Sequence, residues 1–397
     1  MPSQQKTLSW KPLRVFRECS KGGAIEIILE MSPVIPLSMA PSVDEGMLPR
    51  GFCKYWDGLL LKANGRIPCG SDHGESFTIV DTDLETADFV ADVFNGPEFR
   101  TMRIRTALDN RAFNRHCRQC AAFRPLDPDF RADNRNPHYP ELSALDAKAG
   151  KEMLRVQVER GWPLGSIDWI GNLHLEPSLP CTLRCPACLQ GYDPGLLRRE
   201  GPPYYLPITV VDSILRSAKT HDVTIRRIGF GGRGEPMLNP RLPEIVRRCR
   251  QACPNALLES DTNAQHPFHD EYLMLDAIFC SIDGSTQESY ETYRIGGRFE
   301  KCVAFMKAAV ERKRALEAKT QIVWKYILFD TNESVELLDL AQRTALELGI
   351  DVLHFVITWT AGTNGKVFPA RKMTTVETVK AYIQSHPIFP EARVKYQ

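Results

Sequence analysis

The sequence predicts an α/β protein: a partial (β/α)6 TIM-like barrel with a small α+β cysteine-rich domain N-terminal to it. Short β-rich runs alternate with periodic helical stretches from about residue 170 onward, which implies a parallel sheet of βα units. Polar and glycine-rich motifs fall just after those runs, on the loops where barrels of this type carry their chemistry. Cys53, Cys69, Cys117 and Cys120 stand apart in the first third of the chain and mark a separate unit.

Residues 1–50 form an N-terminal extension with one plausible strand, AIEIILE, and several prolines. Residues 51–125 make the cysteine-rich module. FCKYWDGLLLKANGRIPCG reads as a hairpin, with β-rich arms and Ala63-Asn64-Gly65 as its turn. A helical segment near ETADFVADVFN follows, and then HCRQC. Residues 126–168 form a linker around one helix, entered through the Pro- and Asp-rich RPLDPDF and containing RNPHYP.

The barrel is expected over residues 169–365. Its strand runs are IGNLHLEP (170–177), TIRRIGFGG (224–232), ALLESDTN (256–263), AIFCSIDG (277–284), IVWKYILF (322–329) and DVLHFVIT (351–358). Helical segments such as PRLPEIVRRCRQA, FEKCVAFMKAAVERKRALEA and ESVELLDLAQRTALELG lie between them, the last stopped by Gly349. Residues 366–397 are a C-terminal segment. There is no internal repeat and no low-complexity tract.

Lys plus Arg number 50 and Asp plus Glu 49 in 397 residues, a net charge of +1 that gives no support for a polyanion-binding surface. No apolar stretch reaches the roughly 18–20 residues of a membrane span. The N-terminus lacks the charged-then-apolar pattern of a secretory signal, so a cytoplasmic protein without a nucleic-acid or membrane partner is expected. Its 12 cysteines are then reduced thiols or metal ligands rather than a disulfide framework.

The densest group is CTLRCPAC, in which Cys181, Cys185 and Cys188 are spaced C-x₃-C-x₂-C with no fourth cysteine nearby. A tetrahedral zinc site wants four ligands, and most iron–sulfur clusters use four thiolates. Three thiolates on a loop after the first barrel strand suit a cubic cluster in which one iron lacks a protein ligand. That iron can bind the amine and carboxylate of a small molecule. A degenerate zinc loop is the alternative. GFGGRGEP, after the second strand, supplies Gly231, Gly232, Gly234 and Glu235. It lacks the Gly-Lys-Ser/Thr ending of a phosphate-binding loop, and glycines also mark tight turns.

Taken together, these motifs resemble the radical S-adenosylmethionine superfamily, whose hallmark is C-x₃-C-x₂-C. The resemblance covers residues 170–360. It implies a [4Fe–4S] cluster on Cys181, Cys185 and Cys188, with S-adenosyl-L-methionine on its open iron. The glycine-rich motif, with Glu235, is similar to the one that meets the methionine amino group. Asn263 in TNA, together with Ser281, Asp283 and Arg294, matches positions that commonly touch the cofactor. The implied chemistry is reductive cleavage to a 5′-deoxyadenosyl radical, which abstracts a hydrogen atom from substrate. An electron donor such as flavodoxin or ferredoxin is implied with it.

The hairpin, Asn95-Gly96-Pro97 and C-x₂-C resemble the SPASM auxiliary-cluster module or its shortened twitch form, although here the module precedes the barrel. Cys53, Cys69, Cys117 and Cys120 would hold one auxiliary [4Fe–4S] cluster, with a single zinc ion as the alternative. Strand alternation turns Cys280 away from Ser281 and Asp283, and Cys249 and Cys253 share one helix face, so these thiols, with Cys302 and Cys19, are expected to pack. His354 and Trp359 are candidates to line a substrate pocket. The expected reaction is oxidation or epimerisation of a small sugar- or polyol-like molecule. A peptide side-chain maturase is the alternative, and a zinc-binding interaction protein the remote one; near-zero net charge opposes the last.

Overall fold

The computed structural model describes residues 51–53, 56–69, 78–80, 82–107, 123–125, 155–357 and 376–396. They belong to one compact unit that begins at Leu48. The expected strand AIEIILE, the HCRQC motif with Cys117 and Cys120, Cys19 and Trp359 lie outside the described residues.

The fold is mixed α/β around a parallel central sheet. Before the expected barrel come β1 (Gly51–Cys53), β2 (Gly58–Leu61), β3 (Ile67–Pro68), β4 (Thr78–Val80) and β5 (Phe123–Pro125). After them come β6 (Trp169–Ile170), β7 (Asn172–Leu175), β8 (Thr224–Ile225), β9 (Arg227–Phe230) and β10 (Leu257–Thr262). The series ends with β11 (Ala277–Ser281), β12 (Gln321–Leu328), β13 (Val352–Ile357) and β14 (Val394–Tyr396).

Eight strands form the central sheet in the order β14-β13-β12-β11-β10-β9-β7-β2, and every pairing in it is parallel. Its six middle strands, β7 and β9 to β13, are the six runs expected from the sequence. β2 and β14 extend it at the two edges. The turn at Ala63-Asn64-Gly65 forms as expected: Gly65 N–H donates to Lys62 O at 2.9 Å, with Gly65 at a φ of +81° that favours glycine. The arms of that hairpin nevertheless part. β2 pairs with β7 from Gly58↔Asn172 to Leu61↔Leu175, while β3 pairs antiparallel with β4. The reason lies in β2 itself, whose GLLL run is buried throughout, as suits a strand of a parallel sheet covered on both faces.

Helices Ile208–Thr220, Leu242–Ala252, Phe299–Ala315 and Val335–Leu348 alternate with the strands. The last is capped by the Ser334 hydroxyl, which accepts from Leu337 N–H, and ends at Gly349 in the left-handed region (φ +76°). One face of the sheet supplies the core: Leu173, Ile228, Leu258, Ile278, Trp324 and Leu353 are each at most 1% exposed. Cys249, Cys280 and Cys302 are fully buried in that core and Cys253 packs against it, as expected for structural thiols. Among the described residues no helix is long and apolar enough to cross a membrane.

Candidate functional site

Because the sheet is parallel, the loops leaving its strands all emerge at one end. Cys181, Cys185 and Cys188 sit on the loop after β7. Cys185 is buried with Leu183, Tyr293 and Phe329, and Cys181, Ala187, Cys188 and Ile327 pack against that group. The loop is pinned by Leu183 N–H donating to Cys181 Sγ at 3.4 Å and Cys188 N–H donating to Cys185 O at 3.0 Å.

Two donors from other loops reach the sulfurs. Asn263 Nδ2 lies 3.6 Å from Cys181 Sγ, and Arg294 Nη1 lies 3.8 Å from Cys185 Sγ. Burial pushes the Cys181 thiol up to about 11 and raises Cys185 as well, so ionisation here needs a positive partner. A bound metal supplies that charge directly. Among the described residues, no three His, Cys, Asp or Glu side chains converge on one metal-ion position. A cubic cluster gives each thiolate its own iron, so three thiolates on one loop suit such a cluster.

The glycine-rich stretch after β9 lies against the chain that leads to the cysteines. A Cβ on Gly234 would stand 2.1 Å from Ser178 O, and one on Gly232 (φ +146°) would stand 2.6 Å from Glu176 Oε1. Gly231 N–H donates to Leu175 O at 3.0 Å. Gly234 is required by the crossing of two backbones, and Gly232 by its positive φ and the Glu176 side chain. Gly234→Ala is therefore expected to cost about 1–3 kcal/mol, the range of overpacking. Thermal unfolding measures it; a change below about 0.5 kcal/mol would show that the loops part easily.

Glu235 is 2% exposed. Its carboxylate accepts from Thr262 Oγ1 at 2.7 Å, Asn263 N–H at 2.7 Å and Met237 N–H at 3.2 Å. Burial pushes it up to about 7, against the pull of those bonds. It ties the glycine loop to the end of β10. Asp283, fully buried, accepts from Arg294 Nε at 2.6 Å and Ile327 N–H at 2.7 Å. Arg294 follows helix Gln287–Tyr293, which starts with a Thr286–Ser289 capping box. Ser281 is partly buried on the face opposite Cys280.

The structure thus gathers Cys181, Cys185, Cys188, Gly231, Gly232, Gly234, Glu235, Asn263, Asp283 and Arg294 around the ends of β7, β9, β10 and β11. It does not bring Cys69 to them: that residue packs, partly buried, against the main core. β1 pairs antiparallel with β5, which sets the backbone of Cys53 opposite Phe123.

Sequence reasoning missed a buried ionic group beside the glycine loop. Lys62, just after β2, pairs with Glu200, and their side chains are 2% and 4% exposed. Arg233 Nη1 lies 3.3 Å from Glu200 Oε1, and Arg233 N–H donates to Glu176 Oε1 at 2.8 Å. Burial lowers Lys62, with Glu200 opposing, and raises Glu176. The only signal in the sequence is a charge closing each apolar strand, in GLLLK and LHLE.

The sequence matches no protein-family model and no curated protein. Solved structures similar to this chain include radical S-adenosylmethionine enzymes. SuiB of Streptococcus suis bound to S-adenosylmethionine is 16% identical, covering 85% of this chain and 71% of its own, with a TM-score of 0.43. SuiB has also been solved with its precursor peptide SuiA. TYW1 with a lysine–pyruvate adduct is 12% identical, covering 53% of this chain and 70% of its own, with a TM-score of 0.38. A radical S-adenosylmethionine methyltransferase from Sphaerobacter thermophilus is 17% identical, covering 56% of this chain and 64% of its own, with a TM-score of 0.38.

Proposed function

We propose that this chain is a radical S-adenosylmethionine enzyme built on a partial (β/α)6 barrel. One observation carries the reading: the C-x₃-C-x₂-C thiols, the glycine loop, Asn263 and the Asp283–Arg294 pair stand together on the loops at one end of a parallel sheet. Cys181, Cys185 and Cys188 would hold a [4Fe–4S] cluster, which when bound supplies the electron that cleaves S-adenosylmethionine to the hydrogen-abstracting radical. The backbone of Gly231 to Gly234 offers the close approach that the methionine moiety needs, and Glu235 holds that loop in register with Asn263. Arg294, fixed by Asp283, sets a cation beside the thiolates. The apolar wall of Leu183, Tyr293 and Phe329 keeps water from Cys185.

The proposal extends to an auxiliary module over residues 51–125, in which Cys53, Cys69, Cys117 and Cys120 hold a second [4Fe–4S] cluster or, alternatively, zinc. Pairing of β1 with β5 supports it, since Phe123 follows Cys120 by three residues. The reaction is oxidation or epimerisation of a small sugar- or polyol-like substrate, with electrons from a flavodoxin- or ferredoxin-like donor.

Anaerobic reconstitution tests the reading. About four irons per chain are expected for the first cluster and about eight if the auxiliary site also holds one, with 5′-deoxyadenosine formed on reduction in the presence of S-adenosylmethionine. A colourless, zinc-replete protein that forms none would overturn it. Tight binding of a precursor peptide encoded beside the gene would replace the small molecule by a peptide side chain.

A further inference from the structure

The sheet face turned away from the helical core carries a row of polar side chains that the cysteine site does not use. Strand register aligns Ser281 with Lys325, Lys325 with His354, and His354 with Lys395. Residues on one rung share a face, so these four stand side by side from β11 to β14. Thr262 pairs with Cys280, so Asn263, one residue further on, comes level with Ser281 and joins the row to Cys181. The rung before it on this face is apolar (Phe279, Val323, Val352), and the one after pairs Ile327 with Val356.

Ser281, Lys325 and His354 are partly buried, and among the described residues no hydrogen bond reaches their side chains. Lys325 Nζ stands 3.6 Å from Asp261 Oδ1, too far for a hydrogen bond. Ser281 and His354, partly buried with no side-chain hydrogen bond among the described residues, leave donors on this face for a ligand beside the long Lys325–Asp261 pair. Charge names its class. Two ammonium groups flank one imidazole, and among the described residues Asp261 is the carboxylate paired with Lys325. Burial, then Lys325 and Lys395, push His354 down to about 4, so at neutral pH its ring is uncharged, with one N–H to donate.

We infer that this rung is an anion subsite in which Lys325 and His354, with Lys395 at the outer end, hold a carboxylate or phosphate of the substrate. Its place beside the cysteines rests on the enzyme reading above, but its anion binding does not. A neutral polyol would leave the Lys325 ammonium with the long Asp261 pair as its partner among the described residues. An anion gives it a charge-assisted hydrogen bond. The substrate class narrows accordingly, to an acidic or phosphorylated sugar- or polyol-like molecule.

The test follows the ring signals of His354 by NMR in iron-loaded protein, assigned by comparison with His354→Gln and titrated with acetate, inorganic phosphate and glycerol. A saturable shift is expected with acetate or phosphate and none with glycerol; the tighter anion names the group. Lys325→Met is expected to weaken binding about tenfold or more, the loss of one charge-assisted bond. Lys325→Arg, which keeps the charge, should bind within a few-fold of wild type, and circular dichroism checks that both variants fold. No saturable shift with either anion, or equal binding by Lys325→Met, overturns the inference. Iron content and 5′-deoxyadenosine formation are read on the same samples. Their failure with anion binding intact removes the enzyme reading alone, and the converse removes the subsite alone.

Discussion

Replacing Cys181, Cys185 and Cys188 together with alanine is expected to remove about four irons per chain and all 5′-deoxyadenosine formation. The expectation follows from the donor set. No other Cys, His, Asp or Glu group among the described residues is placed to bind a metal in their stead. Each substitution removes one sulfur atom. Only Cys185 is buried, against Leu183, Tyr293 and Phe329, so the cost in stability is roughly 1 kcal/mol per site. Of the bonds that shape the loop, Leu183 N–H to Cys181 Sγ is lost, but Cys188 N–H to Cys185 O does not involve a thiol. The variant should therefore unfold near the wild-type temperature while losing its visible absorption. Iron and sulfide analysis decides the matter. A fall from about eight irons to four places a second cluster on the N-terminal cysteines, and a fall from about four to none leaves those cysteines to zinc or to nothing. Iron content unchanged by the triple substitution would remove the C-x₃-C-x₂-C loop as the site.

Much of this site is legible in the sequence because its parts are local. Cys181 to Cys188 span eight residues, and GGRGEP directly follows an apolar run, so spacing alone marks both. Alternation places Ser281 and Asp283 on one face and Cys280 on the other, and the structure buries Cys280 in the core as that reading requires. What the sequence hides is parallel pairing. β2 meets β7 across more than a hundred residues, and the turn after β2 signals a hairpin whose arms find other partners. The Ser281–Lys325–His354–Lys395 rung is hidden for the same reason: each residue is unremarkable on its own strand, and only the register across four strands makes them neighbours. Glu235 shows a third case. Its place in the motif suggests a ligand contact, yet its oxygens are engaged by Thr262, Asn263 and Met237, and those partners lie on segments whose approach the sequence does not record.

Lys62→Met is expected to lower stability by about 3–5 kcal/mol, the usual consequence of removing one partner from a buried ion pair. Lys62, Arg233, Glu176 and Glu200 bring two charges of each sign into a space where none is more than 8% exposed. Methionine preserves the volume and deletes one positive charge, leaving the group one negative charge in excess. Arg233 and Arg66, 3.3 Å and 3.8 Å from Glu200, keep that carboxylate partly paired, which favours the lower end of the range. Glu176 determines the pH dependence. Burial already raises it and the Lys62 ammonium opposes the shift, so removing that ammonium raises it further. A carboxyl group raised on folding favours the folded state below its folded value, and that advantage is lost as pH rises through it. The variant should therefore lie closer to wild type at pH 5 than at pH 7. Glu200→Gln added to Lys62→Met restores charge balance and should recover part of the loss. Denaturant unfolding of the three proteins at both pH values checks this. A loss below about 1 kcal/mol at pH 7, or one that does not shrink at pH 5, would mean that water screens these charges. The docking of β2 on β7 would then rest on its leucines alone.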